Sequence, residues 1–223
     1  MSREVTIVEN VLRVNDELAG MIRRELATRR IFTVNLIGAP GCGKTALLER
    51  TLKELAGQLR LAVMVGDLAT ARDAQRMAAF CDQVVQINTG KGCHLEANHV
   101  HQALSRIDLG RVDILFIENV GNLICPVAFD LGQDVKVGMF SVTEGDDKPA
   151  KHPYIVAESA AMILNKTDLL PYVPFRKEIF MEDVRRLNSK APLFELSVTK
   201  GDGCDSWLNW LKQGRAAKAQ ARA

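Results

Sequence analysis

At 223 residues the chain is long enough to bury a sizeable apolar core without disulfides or structural metals. Its 29 Lys and Arg against 27 Asp and Glu leave a formal charge of +2, a balance that gives no field able to single out nucleic acid or anionic lipid as partner. Five cysteines are too few, and odd in number, for a secreted disulfide framework, no apolar run approaches the ~20 residues of a membrane span, and "MSREVTIVENVLRVNDEL" lacks the pattern of a secretory signal, so a cytoplasmic protein with reduced thiols is expected.

Residues 5–28 carry Ile7, Val11, Val14, Leu18, Met21 and Ile22 at three- and four-residue spacing, which predicts an amphipathic helix ahead of the main domain, packed on the core or on a partner. From residue 29 onward apolar runs alternate with helical patterns. The runs are "IFTVNLIG", "RLAVMVGD", "QVVQIN", "VDILFIEN", "VKVGMFSV", "AAMILN" and "PLFELSV"; helices are expected from about Lys44, through "ARDAQRMAAF", "HLEANHVHQAL" and "EIFMEDVRRLN", and from about Asp205. Near-continuous apolar strands between helices predict a mainly parallel sheet covered on both faces, a three-layer α/β domain. "KPAKHP" and "PYVP" read as surface connections, so the expected plan is one domain over 1–223: the N-terminal helix at 1–28, the core at 29–214, and a frayed or disordered tail at 215–223.

"GAPGCGKT", residues 38–45, satisfies G-x-x-x-x-G-K-[ST] between an apolar strand and a helical pattern, the context that marks a phosphate-binding loop. Gly38, Gly41 and Gly43 let backbone N–H groups of the loop, Cys42 included, turn toward a β-phosphate at a helix N-terminus. Lys44 then reaches the β- and γ-oxygens and Thr45 holds Mg²⁺. Cys42 itself sits in an unconstrained slot and reads as a small filler.

"NKTD", residues 165–168, follows the strand "AAMIL" and so lies on the rim where open α/β sheets bind ligands. A carboxylate at Asp168 can accept from both N1–H and the exocyclic amine of guanine, a donor pair that adenine lacks. Asn165 and Lys166 are expected to brace the loop and cover the base, and "SVTKG" after the final strand, from Ser197 and Val198 to Gly201, can supply backbone N–H groups to the guanine oxygen. Alone, the four residues also suit a helix-starting Asp turn. Glu118 ends the strand "VDILFIE", where a carboxylate can hold Mg²⁺ directly or through water, and Gly121 can report the γ-phosphate through its N–H. Asp67 or Asp73 is expected to orient the attacking water or complete the Mg²⁺ shell, with Asp67 preferred as a strand-end residue; either is equally an N-cap.

Cys93, His94 and Cys125 make a thiolate, imidazole, thiolate set suited to Ni²⁺ or Zn²⁺. Their spacing matches no common zinc-finger pattern, and buried small cysteines beside a helix-starting histidine are the alternative. His101, seven residues after His94, is a further candidate; His99 is expected to be solvated.

Taken together, "GAPGCGKT", "TGKGCHLEANHVHQAL", "ENVGNLICPVAFDLG", "SVTEGDDKPAKHP" and "LNKTDLLPYV" resemble the hydrogenase nickel-incorporation GTPases of the HypB type, over nearly the whole chain. The resemblance implies a cytoplasmic GTPase that cycles between GTP and GDP and handles nickel during [NiFe] hydrogenase maturation, with Cys93, His94 and Cys125 as metal ligands at a dimer interface. It also implies a homodimer favoured by nucleotide or metal, a nickel-delivery accessory protein and the hydrogenase large subunit as partners, and Lys148 reaching the nucleotide of the other subunit. The related urease-assembly GTPases share the fold, but the "ESGG" and Cys-Pro-His arrangements expected there are absent. So are the cysteine-rich or histidine-rich N-terminal nickel motifs of some relatives, which points to transient metal handling instead of storage. Two rivals stay open: a P-loop kinase with a second substrate pocket, and a GTP-dependent dimerisation switch with a structural zinc.

Overall fold

The computed structural model describes residues 7–66, 76–90 and 92–220, with side chains of the first helix from residue 12 onward. Seven strands, β1 (Phe32–Gly38), β2 (Leu61–Gly66), β3 (Val84–Ile87), β4 (Ile114–Glu118), β5 (Val135–Ser141), β6 (Ala161–Asn165) and β7 (Leu193–Glu195), form one sheet in the order β3-β2-β4-β1-β5-β6-β7. Every pairing between them is parallel. Period-two side-chain alternation explains the layers. In β4, Ile114 and Phe116 face one core while Leu115 and Ile117 face the other; in β2, Val63 and Val65 oppose Ala62 and Met64.

On the first face lie α2 (Lys44–Leu55) and a C-terminal helix running from Cys204 to Gln220, whose Leu47, Leu48, Leu52, Trp207 and Leu211 pack on Val34, Phe116 and Ile163. The other face is covered by α1 (Ile7–Thr28) and α3 (Ala97–Leu104) over one half of the sheet. Four further helices are numbered in chain order among the described residues: α4 (Cys125–Ala128), α5 (Lys148–Lys151), α6 (Pro153–Glu158) and α7 (Lys177–Leu187), with the C-terminal helix labelled α8; the helix expected through "ARDAQRMAAF" lies partly outside the described residues. Ile155 and Val156 of α6 and Phe180 and Val184 of α7 cover the second half around Phe140 and Met162. The fold is the expected three-layer P-loop type, and α1 packs on the core.

Three expectations change in detail. The buried stripe of α1 is Asn15, Ala19, Ile22 and Leu26, while Val14 and Met21 are exposed. Asn15 reads as polar but is buried, because its amide closes two backbone contacts, with Asp130 O and Ala97 N at 2.8 Å each. "KPAKHP" folds as two short helices, α5 and α6, each with proline in its first turn, where a missing N–H costs nothing. Residues 215–220, expected as a frayed or disordered tail, continue α8: Arg215 binds Asp113 at 2.8 Å and Lys218 binds Asp134 at 2.5 Å.

Candidate nucleotide and metal site

β1 ends at Gly38 and α2 begins at Lys44, so residues 38–45 turn at the carboxyl edge of the sheet, where its central strands stop. Gly41 (φ +76°) and Gly43 (φ +105°) hold left-handed backbone that a Cβ disfavours. At Gly43 the restriction is double, since a Cβ would lie 2.4 Å from the Asn165 side-chain nitrogen. The buried Lys44 donates from Nζ to the carbonyls of Gly38 (3.0 Å) and Ala39 (3.2 Å), which keeps its ammonium inside the loop. Thr45 Oγ1 donates to Glu118 Oε1 at 2.7 Å, so the hydroxyl and carboxylate expected to share Mg²⁺ are adjacent. This donor pair, all oxygen and beside a phosphate loop, fits a hard divalent cation. Together with Pro40 and Gly121 they line a cleft of about 410 Å³. Arg76, which the sequence reading passed over, also lines it and donates to Glu49 at 2.7 Å. Cys42 is fully buried and burial pushes its thiol up to about 11, the behaviour of a neutral filler. Asp67 and Asp73 lie outside the described residues.

Asn165 ends β6 and joins three segments: its Nδ2 donates to Cys42 O at 2.8 Å and its Oδ1 accepts from Val198 N at 3.2 Å. Lys166, in left-handed backbone at φ 60°, donates from Nζ to Gly41 O at 2.7 Å. Asp168 Oδ1 accepts from Ser197 Oγ at 2.7 Å. In the same loop Val198 N donates to Asn165 Oδ1 and Ser197 N to Asp202 O at 3.0 Å, so these two N–H groups close the loop on itself, while the Ser197 hydroxyl serves Asp168. Lys148 opens α5, half-buried, beyond a loop pinned by Asp146, which accepts from Arg176 N at 2.9 Å and Nε at 2.8 Å.

Cys93, His94 and Cys125 bring one ligand atom each to within 4.8 Å of one another, although 31 positions separate the second from the third. Cys93 Sγ lies 3.5 Å from Nδ1 of His94, whose ring stacks on Phe129 with centroids 3.9 Å apart. On the ring's other side Nε2 lies 3.6 Å from Glu96 Oε1, within ion-pair distance but beyond hydrogen-bond reach. A hydrogen bond with the neighbouring Cys125 thiol raises the Cys93 thiol by favouring its protonated form, and nearby negative charge on Cys125 adds to this; a divalent cation favours the deprotonated pair instead. Burial lowers His94, which keeps the imidazole in its neutral, ligating form. The donor set fits a soft or borderline ion such as Ni²⁺ or Zn²⁺. Among the described residues His101 does not join the cluster; it is exposed on α3, because the helix begins only at Ala97 and His94 precedes it. His99, expected as solvated, is half-buried and accepts from Glu96 N through Nδ1 at 3.0 Å, capping α3.

Nucleotide cleft and sulfur cluster share the turn 118–125. Gly121 sits against Pro40 of the phosphate loop so closely that a Cβ would lie 2.9 Å from the proline ring. Four residues on, Cys125 opens α4, while the side chains of Asn119 and Asn122, also unremarked in the sequence, reach back toward residues 93–95.

A parallel sheet with a lysine-bearing phosphate loop at its carboxyl edge defines a P-loop nucleotide-binding protein, here with a Cys-His-Cys cluster beside that loop. The chain belongs to the CobW/HypB/UreG nucleotide-binding family, whose model matches residues 32–195, and within it to the hydrogenase maturation factor HypB group. It is 45% identical to the hydrogenase maturation factor HypB of Escherichia coli over 215 residues, which cover 96% of this chain and 74% of that one. Among solved structures, the HypB crystal structure from Archaeoglobus fulgidus matches with a TM-score of 0.87 at 37% identity, over 92% of this chain and 100% of the other. HypB from Helicobacter pylori, crystallised in complex with nickel, matches with a TM-score of 0.87 at 32% identity, over 94% and 98%.

Proposed function

We propose that this chain is a GTP-hydrolysing metallochaperone that couples its nucleotide state to the custody of a nickel ion destined for a [NiFe] hydrogenase. The observation that carries the reading is the shared turn: residues 118–125 touch the phosphate loop at Pro40 and end on Cys125, one of three soft ligands within 4.8 Å. Lys44 stabilises negative charge on the β- and γ-phosphates, while Thr45 and Glu118 would hold Mg²⁺, with Asp67 the candidate to complete its shell or orient the attacking water. Water attacks the γ-phosphorus, the bond to the β–γ bridging oxygen breaks, and GDP leaves with inorganic phosphate. Asp168, steadied by Ser197, accepts from guanine, and Asn165 and Lys166 brace that loop against the phosphate cradle.

Gly121, drawn to the third phosphate, displaces the turn, and Cys125 moves with it. Thiolate bonds near ~2.3 Å tolerate little displacement, so a small shift suffices to weaken the site. Coupling is reciprocal: if GTP weakens nickel binding, nickel weakens GTP binding by the same factor. The protein acts in the cytoplasm as a homodimer favoured by nucleotide or metal, with Lys148 reaching the other subunit's nucleotide, and passes nickel between a delivery accessory protein and the hydrogenase large subunit.

The test is nickel affinity, by competition with a chromophoric chelator, with the protein saturated by GDP or by a non-hydrolysable GTP analogue. Affinities differing at least fivefold are expected; equal affinities remove the coupling.

A further inference from the structure

The turn 118–125 carries Cys125 directly, but the other two ligands, Cys93 and His94, belong to a different segment, and something must tie that segment to the nucleotide. Asn119 follows Glu118, the residue bonded to Thr45, and is almost wholly buried. Its backbone N–H donates to Leu36 O of β1 at 3.0 Å, its Nδ2 donates to Asn35 Oδ1 at 3.2 Å, and its Oδ1 accepts from Leu95 N at 3.2 Å. Leu95 is the residue after His94 and is itself fully buried, wedged against Gly66 at the end of β2. Asn122 makes the second tie. Its backbone N–H donates to Gly38 O at 3.1 Å, its Nδ2 donates to Cys93 O at 3.4 Å, and its Oδ1 accepts from Ile124 N at 2.9 Å. One asparagine therefore joins the strand end beside the Mg²⁺ ligands to the peptide after His94. The other joins the first glycine of the phosphate loop to the carbonyl of Cys93 and to the peptide before Cys125.

We infer that Asn119 and Asn122 are positioning residues that couple the nucleotide turn to Cys93 and His94, so that the state of the phosphates reaches all three metal ligands. A buried polar side chain between two backbones is retained at a desolvation cost that its hydrogen bonds must offset, and these bonds run from nucleotide segment to metal segment. The inference rests on the coupling proposed above. With Asn119 and Asn122 removed, Cys125 still responds to the γ-phosphate but Cys93 and His94 do not follow, so the affinity difference between nucleotide states shrinks and the ligand geometry becomes mixed.

The experiment measures nickel affinity with GDP and with the GTP analogue, together with the sulfur-to-nickel charge-transfer absorption in each state, for wild type, Asn122→Ala, Asn122→Asp and Asn119→Ser. Asn122 is only half-buried, so its variants fold even if Asn119→Ser does not. Asn122→Asp keeps the acceptor for Ile124 N but has no donor for Cys93 O, and must behave like Asn122→Ala. The expected result is a GDP-to-analogue affinity ratio reduced at least threefold toward one in both Asn122 variants, with a charge-transfer band that no longer shifts between nucleotides. A wild-type ratio of one overturns the coupling itself and this inference with it. A wild-type ratio away from one that the Asn122 variants keep overturns only the assignment to these asparagines. A ratio lost in Asn122→Ala but kept in Asn122→Asp overturns the tie to Cys93, since it would then run through Ile124.

Discussion

Cysteine burial separates two kinds of thiol in this chain. Cys93 is exposed and Cys125 partly so, whereas Cys42, Cys81 and Cys204 are buried, and burial pushes the thiols of all three up. Only the accessible pair shares a face with His94. Cys125→Ala therefore lowers nickel affinity at least tenfold in a chelator competition, while Cys81→Ala, whose thiol points to Leu61 O at 3.0 Å on the far edge of β2, leaves it unchanged. The three ligand types were legible from the sequence because sulfur and imidazole chemistry is carried by residue identity. Their proximity was not, since no local spacing rule relates residue 94 to residue 125; it arises because the loops after β3 and β4 meet above the same sheet edge. Asn119 and Asn122 escaped notice for a related reason. Within "ENVGN" the carboxylate and the glycine announce chemistry, while an asparagine reveals its role only when its partners are known.

At the scale of elements, α1 works as a clamp on both segments of the Cys-His-Cys cluster. Asn15 donates to Asp130 O, five residues past Cys125, and accepts from Ala97 N, three residues past His94, and Arg23 adds a pair of bonds to Asp130 at 2.6 and 2.5 Å. Asn15→Ala leaves a buried N–H and a carbonyl without these partners, at a cost of about 2 kcal/mol in urea unfolding. Local opening of the α3 N-terminus, read by hydrogen exchange at Ala97, should rise in the same variant. The helix itself was predicted from apolar spacing, yet the buried stripe was misplaced, because a spacing rule counts Asn15 as polar and Val14 as apolar while burial runs the other way. Strands fared better: near-continuous apolar runs leave few alternatives for a sheet covered on both faces.

Across the whole molecule the two edges of the sheet have different tasks. The carboxyl edge holds the cleft and the sulfur cluster, and the amino edge is fastened by charge. Asp113, just before β4, accepts from Arg60 N, Nε and a terminal guanidinium nitrogen at 2.9, 3.0 and 2.9 Å, and from Arg215 of α8 at 2.8 Å. The Arg60 guanidinium holds its carboxyl well below the usual carboxylate range. A depressed folded value means that the stabilisation is present above the unfolded value of about 3.9 and is lost as pH falls through the lower folded one. Asp113→Asn should thus lower stability by about 2 kcal/mol at neutral pH, with the gap to wild type constant down to about pH 5 and closing below pH 4 in thermal melts. Nucleotide affinity should not change, since the edges are a strand length apart. Nothing in the alanine-rich end of the sequence showed that Arg215 and Lys218 would find acids more than 80 positions earlier, so the tail's helical order was not legible.

The bracing of the base-reading corner by Asn165 and Lys166 against Cys42 and Gly41 has a consequence for energetics. That corner is ordered when the chain folds, so a purine meets a rigid seat and little of its attraction is lost in assembling one. Di- and triphosphate forms gain equally from such a seat, which makes it an address and not a signal. On the coupling proposed above, what separates the two forms is the outermost phosphate, met by the turn at Gly121 that touches Pro40.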